Sequence, residues 1–318
     1  LTYAEDFDFP SPPVGRAESS KNAATWTQRR PENVVASSVK RQGDLYEQPA
    51  PVIDYLAASA DFQGDGKKTR VELYYGIPLD GLSTTIPDTG RLARGLAVFD
   101  MAWKPLYRST DTIRYLATEN SGKIAVTESA LALPPGEYMI GTQFQDVGGR
   151  SFGASYQRIE VERYVPGAFQ ISDIELASEI FEDYAEAMKG GLGVIPNPTQ
   201  TYRRDKPVLI YYEVYGLERD DFGQTRYEVT YLISPSEHEG KFLGNVLRSI
   251  GRVLKTEHKE TVVITTEQAG YRRDQSEYLE LDVSKSKEGK YDLAVTVTDQ
   301  VSQKSVTKQV SFWIIEAE

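Results

Sequence analysis

Two stretches of the chain alternate apolar and polar residues. They are TRVELYYGIPL, residues 69–79, and KPVLIYYEVYGL, residues 206–217. Their alternate apolar positions are Val71, Leu73, Tyr75 and Ile77 in the first and Val208, Ile210, Tyr212 and Val214 in the second. Side chains of a strand point to opposite faces in turn, so such alternation buries one face. Both stretches are therefore predicted to be β-strands packed on a core.

A second pair of stretches shows that the pattern is repeated. GEYMIGTQFQD begins at Gly136 and GKYDLAVTVTD begins at Gly289. Each contains Gly-x-Tyr, an alternating apolar run, and an Asp eight residues after the Tyr. The chain therefore contains two copies of one β unit. We expect the copies to share strand order, with Tyr75 matching Tyr212 and Tyr138 matching Tyr291.

Short strands separated by turn signals predict an all-β protein with two tandem Ig-like β-sandwich domains. The first domain is predicted at 51–165 and the second at 166–318. Within the second, the spacing of apolar residues over 178–189 predicts a short helix ended by Gly190 and Gly191. A second short helix is predicted over 244–254.

Residues 1–50 differ from the remainder, because they are rich in Pro, Ser, Asn and charge and show no sustained period. Such a segment buries too little surface to offset its ordering entropy alone. We predict an extended, irregular N-terminal arm that lies on this chain's own sandwiches or on a neighbouring subunit. Phe7, Phe9 and Trp26 are its expected anchors, and residues 34–39 (VVASSV) have the character of a strand that adds to a sheet edge.

Charge and composition exclude several classes of function. The net charge is −11 and the pI is near 4.9 over 318 residues, which disfavours nucleic acid as a partner. Cysteine is absent, so disulfides, thiol nucleophiles and cysteine metal sites are excluded. No apolar run has the length of a membrane span. The sequence contains no cofactor or metal-binding motif, and none is expected.

The sequence contains no recognisable catalytic motif. Neither Gly-x-Ser-x-Gly nor His-Glu-x-x-His occurs, and His238 and His258 stand in charged, loop-like contexts. Acidic residues are abundant, so a carboxylate pair for glycoside cleavage stays open. Asp146 and Asp299, which follow equivalent strands, are predicted to cap turns. We predict that the protein is not an enzyme, and that no cleft gathers a histidine or a carboxylate pair with strongly shifted pKa values.

Three tyrosines lie on the strand face opposite the predicted core set. They are Tyr74, Tyr211 and Tyr215. Three interpretations are open: packing against other strands, the arm or the other domain; contact with a protein partner; or stacking on sugars. They are the candidate binding residues of the sandwiches.

Several segments, in order, resemble the C-terminal region of bacterial GWxTD domain-containing proteins. The segments are residues 61–82, SDIELAS at 172–178, GVIPNPTQTYRRDKPVLIYYEVYGL at 193–217, and residues 278–306. The Gly-Trp-x-Thr-Asp motif itself is absent. The resemblance implies an exported protein located in the periplasm, at the outer membrane or on the cell surface.

The pattern and the resemblance together predict a non-enzymatic structural or protein-interaction subunit of an exported bacterial assembly. Its partners would be other protein subunits, including further copies of itself. The alternative is a carbohydrate- or ligand-binding β-sandwich module.

Overall fold

The computed structural model describes residues 52–86, 89–116, 123–182, 189–236 and 261–316. The arm with Phe7, Phe9 and Trp26, both histidines, and the helix predicted over 244–254 lie outside the described residues. Throughout the described ranges the regular elements are β-strands, and they form several sheets. The predicted all-β class is confirmed.

Eighteen strands occur in the described part of the chain. The first eight are β1 Leu56–Gln63, β2 Thr69–Pro78, β3 Thr84–Ile86, β4 Thr89–Phe99, β5 Pro105–Leu116, β6 Ile124–Leu133, β7 Gly136–Asp146 and β8 Phe152–Val161. The next six are β9 Gln170–Ile171, β10 Glu175–Phe181, β11 Gly193–Pro196, β12 Thr201–Arg203, β13 Val208–Tyr215 and β14 Thr225–Pro235. The last four are β15 Val262–Gly270, β16 Gln275–Leu281, β17 Gly289–Asp299 and β18 Lys304–Ile315.

The strand order is the same in the two copies of the repeat. One sheet contains β5-β4-β7-β8 and another contains β15-β14-β17-β18, with all of these pairs antiparallel. The registers agree as well, because Tyr138 pairs with Ile159 in the first copy and Tyr291 with Phe312 in the second. The orders β1-β2-β6 and β10-β13-β16 also correspond. The predicted duplication is confirmed at the level of strand order.

The chain forms two compact units that interleave along the sequence. The first contains the described residues of Tyr75–Thr127 and Pro135–Glu162, together with residues 52–57. The second contains Ala58–Tyr74, Glu128–Pro134 and the chain from Arg163 onward. The predicted domain limits, 51–165 and 166–318, stay a prediction.

The second unit has a core formed by the inward faces of its sheets. The predicted inward residues of β13, from Val208 to Val214, all belong to it. Tyr212 Oη and Tyr231 Oη share a hydrogen bond of 2.7 Å inside this core. In the first unit, Tyr75 packs edge-on against Phe144, with ring centroids 5.4 Å apart. The predicted inward faces of both key strands are therefore buried.

The helix predicted over 178–189 is wrong in its first part, because β10 runs through Phe181. Its pairing with β11 shifts between Ala177 and Glu179. Such a bulge interrupts the two-residue alternation, so the end of β10 lacks the regular pattern that would have indicated a strand. Residues 183–188 lie outside the described chain.

Candidate functional site

The three candidate tyrosines are buried within the second unit. Tyr74, Tyr211 and Tyr215 are 3%, 0% and 4% exposed. Tyr211 packs on Phe62 and Tyr215 on Tyr164, with ring centroids 6.0 and 5.6 Å apart. Of the three interpretations, this burial supports packing against other strands of the chain. β1 and the chain after β8 cover this face of β13.

Charged side chains alternate with these tyrosines along the same strands. Arg70 and Glu72 precede Tyr74 on β2, and Glu213 lies between Tyr211 and Tyr215 on β13. Since alternate residues share a face, the charges are carried inward with the aromatic rings. Glu175 of β10 and Lys189 join them. We call Arg70, Glu72, Glu175, Lys189 and Glu213 the buried charged cluster.

Lys189 lies between two carboxylates in this cluster. Its Nζ contacts Glu175 Oε2 directly and lies 2.8 Å from Glu72 Oε2. The Tyr74 hydroxyl donates to Glu72 Oε2 at 2.7 Å. Glu175 and Lys189 are 1% and 7% exposed. The ammonium group is therefore held by both carboxylates in a place from which water is largely excluded.

Arg70 and Glu213 form the other half of the cluster. Arg70 Nη2 donates to Glu213 Oε1 at 2.7 Å, and Arg70 Nε lies 3.1 Å from Glu72 Oε1. The hydroxyls of Tyr211 and Tyr215 donate to the two oxygens of Glu213 at 2.8 and 2.7 Å. Both oxygens of Glu213 thus accept charge-assisted hydrogen bonds, which are stronger than hydrogen bonds between neutral groups.

Burial and neighbouring charges shift the pKa values inside the cluster. Burial raises the pKa of Glu175 to about 7; the charge of Lys189 opposes the shift and that of Glu72 adds to it. Burial also works against the charge of Lys189, but the carboxylates of Glu175 and Glu72 outweigh it, and the pKa of Lys189 is raised. Near neutral pH a large share of Glu175 is therefore a neutral acid beside an ammonium group.

The prediction on carboxylate pairs was made for a cleft, and it stays a prediction. Glu72 and Glu175 are two carboxylates that long-range folding brings together, and burial raises the pKa of Glu175. They lie in the interior rather than in an open groove, and both contact Lys189, so a sugar has no access to them. Over the described ranges, no group of three or more His, Cys, Asp or Glu side chains could hold a metal ion.

Sequence reasoning missed the residues of the buried charged cluster. A signal was present, since Glu213 and Glu72 stand inside otherwise apolar strands and share a face with the tyrosines. Charged residues are almost never fully buried unless they are paired. A buried face that carried both signs of charge could have been predicted from this pattern, but the identity of the pairs could not.

Asp146 and Asp299 are turn caps in both copies, as predicted. Asp146 accepts hydrogen bonds from the backbone N–H of Ser83 at 2.7 Å and of Gly148 at 3.2 Å. Asp299 accepts from the backbone N–H of Glu218 and of Val301, both at 3.0 Å. The donors come from corresponding places in the two copies. One lies in the connection that follows β2 or β13, and the other lies in the turn directly after the aspartate.

The two copies differ at one sheet edge. β5 and β15 are corresponding strands, and each pairs along one side with β4 or β14. No described strand pairs with their other sides. β5 carries Arg108, Asp111 and Arg114, whereas β15 begins Val-Val-Ile-Thr-Thr. The first five residues of β15 carry no charge, and Glu267 is the one charged residue of the strand, whereas β5 has three.

Two solved structures have a low similarity to this chain. A crystal structure of red sea bream transglutaminase covers 91% of this chain at 8% identity and a TM-score of 0.22. Escherichia coli alpha-2-macroglobulin activated by porcine elastase covers 83% at 10% identity and a TM-score of 0.24. This chain spans 34% of the first protein and 23% of the second. No family model and no curated protein matches the sequence.

None of the described residues forms a helix long and apolar enough to cross a bilayer.

Proposed function

We propose that this chain is a β-sandwich subunit of an exported bacterial assembly, and that it binds other proteins through a sheet edge rather than transforming a substrate. The observation that carries the proposal is that no described strand pairs with the outer side of β15. Val262 and Val263 are 48% and 44% exposed there, and backbone groups on the free side have no described strand as partner. Natural proteins normally guard such an edge with charge, proline or a bulge.

The edge fits a partner that adds a strand. An extended segment that pairs with a free edge gains affinity from backbone hydrogen bonds and register from alternate side chains. The run of β-branched residues in β15 is suited to this pairing. The N-terminal arm of a neighbouring copy, through residues 34–39, is the first candidate for the added strand. The exported location rests on the resemblance to GWxTD domain-containing proteins.

A non-enzymatic role is supported by the closure of the buried charged cluster. Its ionisable groups contact each other rather than a cleft. The carbohydrate-binding alternative loses the residues on which it rested, because Tyr74, Tyr211 and Tyr215 are buried. A shallow surface depression lined by Arg204, Asp205, Lys206, Glu280 and Asp282 has mixed charges and no aromatic platform.

Two variants test the proposal by light scattering coupled to size exclusion. Deletion of residues 1–50 is expected to convert an oligomer into a folded monomer. The substitution Val263→Lys is expected to have the same effect, because a charge on the edge opposes strand addition. The matched control is Thr112→Lys on β5, the corresponding and already charged edge, which should leave assembly unchanged. An oligomer that persists both in Val263→Lys and after the deletion would contradict the proposal.

A further inference from the structure

Lys189 and Glu175 meet as an amine and a carboxyl group in a buried place. The Nζ of Lys189 is in direct contact with Glu175 Oε2, and Glu72 Oε2 lies 2.8 Å from the same nitrogen. Glu175 and Lys189 are 14 residues apart in the sequence and belong to one compact unit. The reacting groups are therefore held together by the fold rather than by chance encounter, which is the situation that gives intramolecular reactions high effective concentrations.

Aromatic rings surround the amine. The Nζ of Lys189 lies 5.3 Å from the ring centroid of Phe62 and 5.5 Å from those of Tyr74 and Tyr211. These rings exclude water from the contact. Exclusion of water favours condensation, which releases a water molecule, and disfavours the hydrolysis that would reverse it.

One oxygen of Glu175 is left without a partner. Glu175 Oε1 is buried and has no hydrogen-bond donor in the described structure. A buried carboxylate normally has donors for both oxygens, because an unpaired charged oxygen is costly. The environment therefore suits a neutral acid or an amide carbonyl at this position better than a carboxylate.

We propose that Lys189 and Glu175 condense into an intramolecular amide bond, with Glu72 as the base. The Glu72 carboxylate accepts one proton from the Lys189 ammonium. The neutral amine then attacks Cδ of the protonated Glu175 carboxyl group and forms the new N–C bond. The C–OH bond of Glu175 breaks, and its hydroxyl leaves with a second proton from Nζ as water. The third proton stays on the amide nitrogen, and no oxidant or co-reactant is needed.

The neighbouring groups are placed for this role. The raised pKa of Glu175, about 7, supplies the neutral acid that an amine can attack. The raised pKa of Lys189 means that its proton must be removed by a base in contact with it. Glu72 is that base, and the Tyr74 hydroxyl and Arg70 Nε hold its two oxygens in position.

The mass of the folded, full-length protein tests the proposal. Denatured wild-type protein is expected to have a mass lower than that of its sequence by one water molecule. Trypsin should fail to cleave after Lys189, and fragmentation should locate a branched peptide that joins Lys189 to Glu175. Lys189→Met should restore the full mass. Glu72→Gln, which keeps the shape but removes the base, should give full mass or slow conversion, with its fold checked by circular dichroism.

The matched control is Lys308→Met. Lys308 Nζ lies 2.7 Å from Asp173 Oδ1 in a more exposed ion pair, so this variant should still lose water. Three outcomes would overturn the proposal: the full sequence mass in folded wild-type protein, a loss of water that persists in Lys189→Met, or a branched peptide that joins Lys189 to Glu72. Because the wild-type mass decides the question, a variant that fails to fold leaves the test intact. The inference does not depend on the binding of a partner at β15.

Discussion

At the scale of single residues, the two buried aspartates show why a turn residue recurs in both copies. Asp299 is fully buried, and its oxygens accept from two backbone N–H groups and from the Ser302 hydroxyl at 2.7 Å. An Asp at this place satisfies donors that the sheet and the turn leave unpaired. Selection for the same backbone path therefore preserves Asp146 and Asp299 while the core residues around them differ.

We predict that Asp299→Ala destabilises the protein by about 1–3 kcal/mol, because it removes the buried carboxylate that accepts from the N–H groups of Glu218 and Val301. Chemical denaturation monitored by tyrosine fluorescence measures the change. Asp299→Asn retains an acceptor oxygen and should lose clearly less stability than Asp299→Ala. Equal losses in the two variants would contradict the explanation.

The second prediction concerns Glu277 and the pH dependence of the protein's stability. Burial raises its pKa, and the hydrogen bond donated by the Tyr227 hydroxyl opposes the shift. A carboxyl group with a raised folded pKa contributes stability that is present below its unfolded pKa of about 4.3. That contribution is lost as the pH rises through the folded pKa.

Glu277→Gln keeps an acceptor for Tyr227 but has no charge to bury. We expect the melting temperature of this variant, relative to that of the wild type, to increase as the pH rises from about 4 to about 8. Glu280→Gln, an exposed carboxyl on the same strand, is the matched control and should give a difference that stays flat with pH. If the difference in melting temperature between Glu277→Gln and the wild type does not change with pH, burial of the Glu277 carboxylate does not reduce stability in this way.

At the scale of elements, β7 and β17 each begin with a glycine because the backbone there adopts a conformation that other residues avoid. Gly136 and Gly289 have φ angles of 154° and 137°, a region that is essentially restricted to glycine. The repeated Gly-x-Tyr is therefore a backbone requirement at the start of a hairpin strand. The Tyr two residues later then points into the core in both copies.

We predict that Gly289→Ala costs about 1–3 kcal/mol through backbone strain alone, since an added Cβ would meet no atom within 4 Å. Gly270→Ala is the matched control. Its φ lies outside the glycine region, and its Cβ would meet the movable end of Gln275 at 3.2 Å. A smaller loss of stability is expected there, and denaturant titration compares the two. Equal losses would argue against backbone strain at Gly289.

At the scale of the whole molecule, the second unit depends on segments from the first third of the chain. Phe62, Arg70 and Tyr74 belong to this unit. They cover the face of β13 that carries Tyr211 and Glu213. The segment that connects them to the remainder of the unit exceeds 50 residues. A cut at Pro166 would therefore remove part of the second unit's own interior.

We predict that a fragment of residues 163–318 melts at a lower temperature than one of residues 52–318 and binds an apolar dye. The physical reason is that Tyr211 and Glu213 lose the side chains that bury and pair them. Circular dichroism and dye fluorescence provide the measurements. Equal melting temperatures without dye binding would contradict this account and favour a division of the chain at Pro166.

The sequence by itself determined the all-β class, the approximate positions of the major strands and the duplication. Alternation specifies which residues share a face, and the glycines and aspartates specify where hairpins turn, so both are local properties. The tertiary structure decided which faces are covered. Tyr211 is buried because Phe62, far away in sequence, packs on it, and Glu175 meets Lys189 and Glu72 because three separate segments converge. The bulge in β10 is likewise set by its pairing with β11. Contacts between distant segments follow from the packing of whole sheets, which no local pattern encodes.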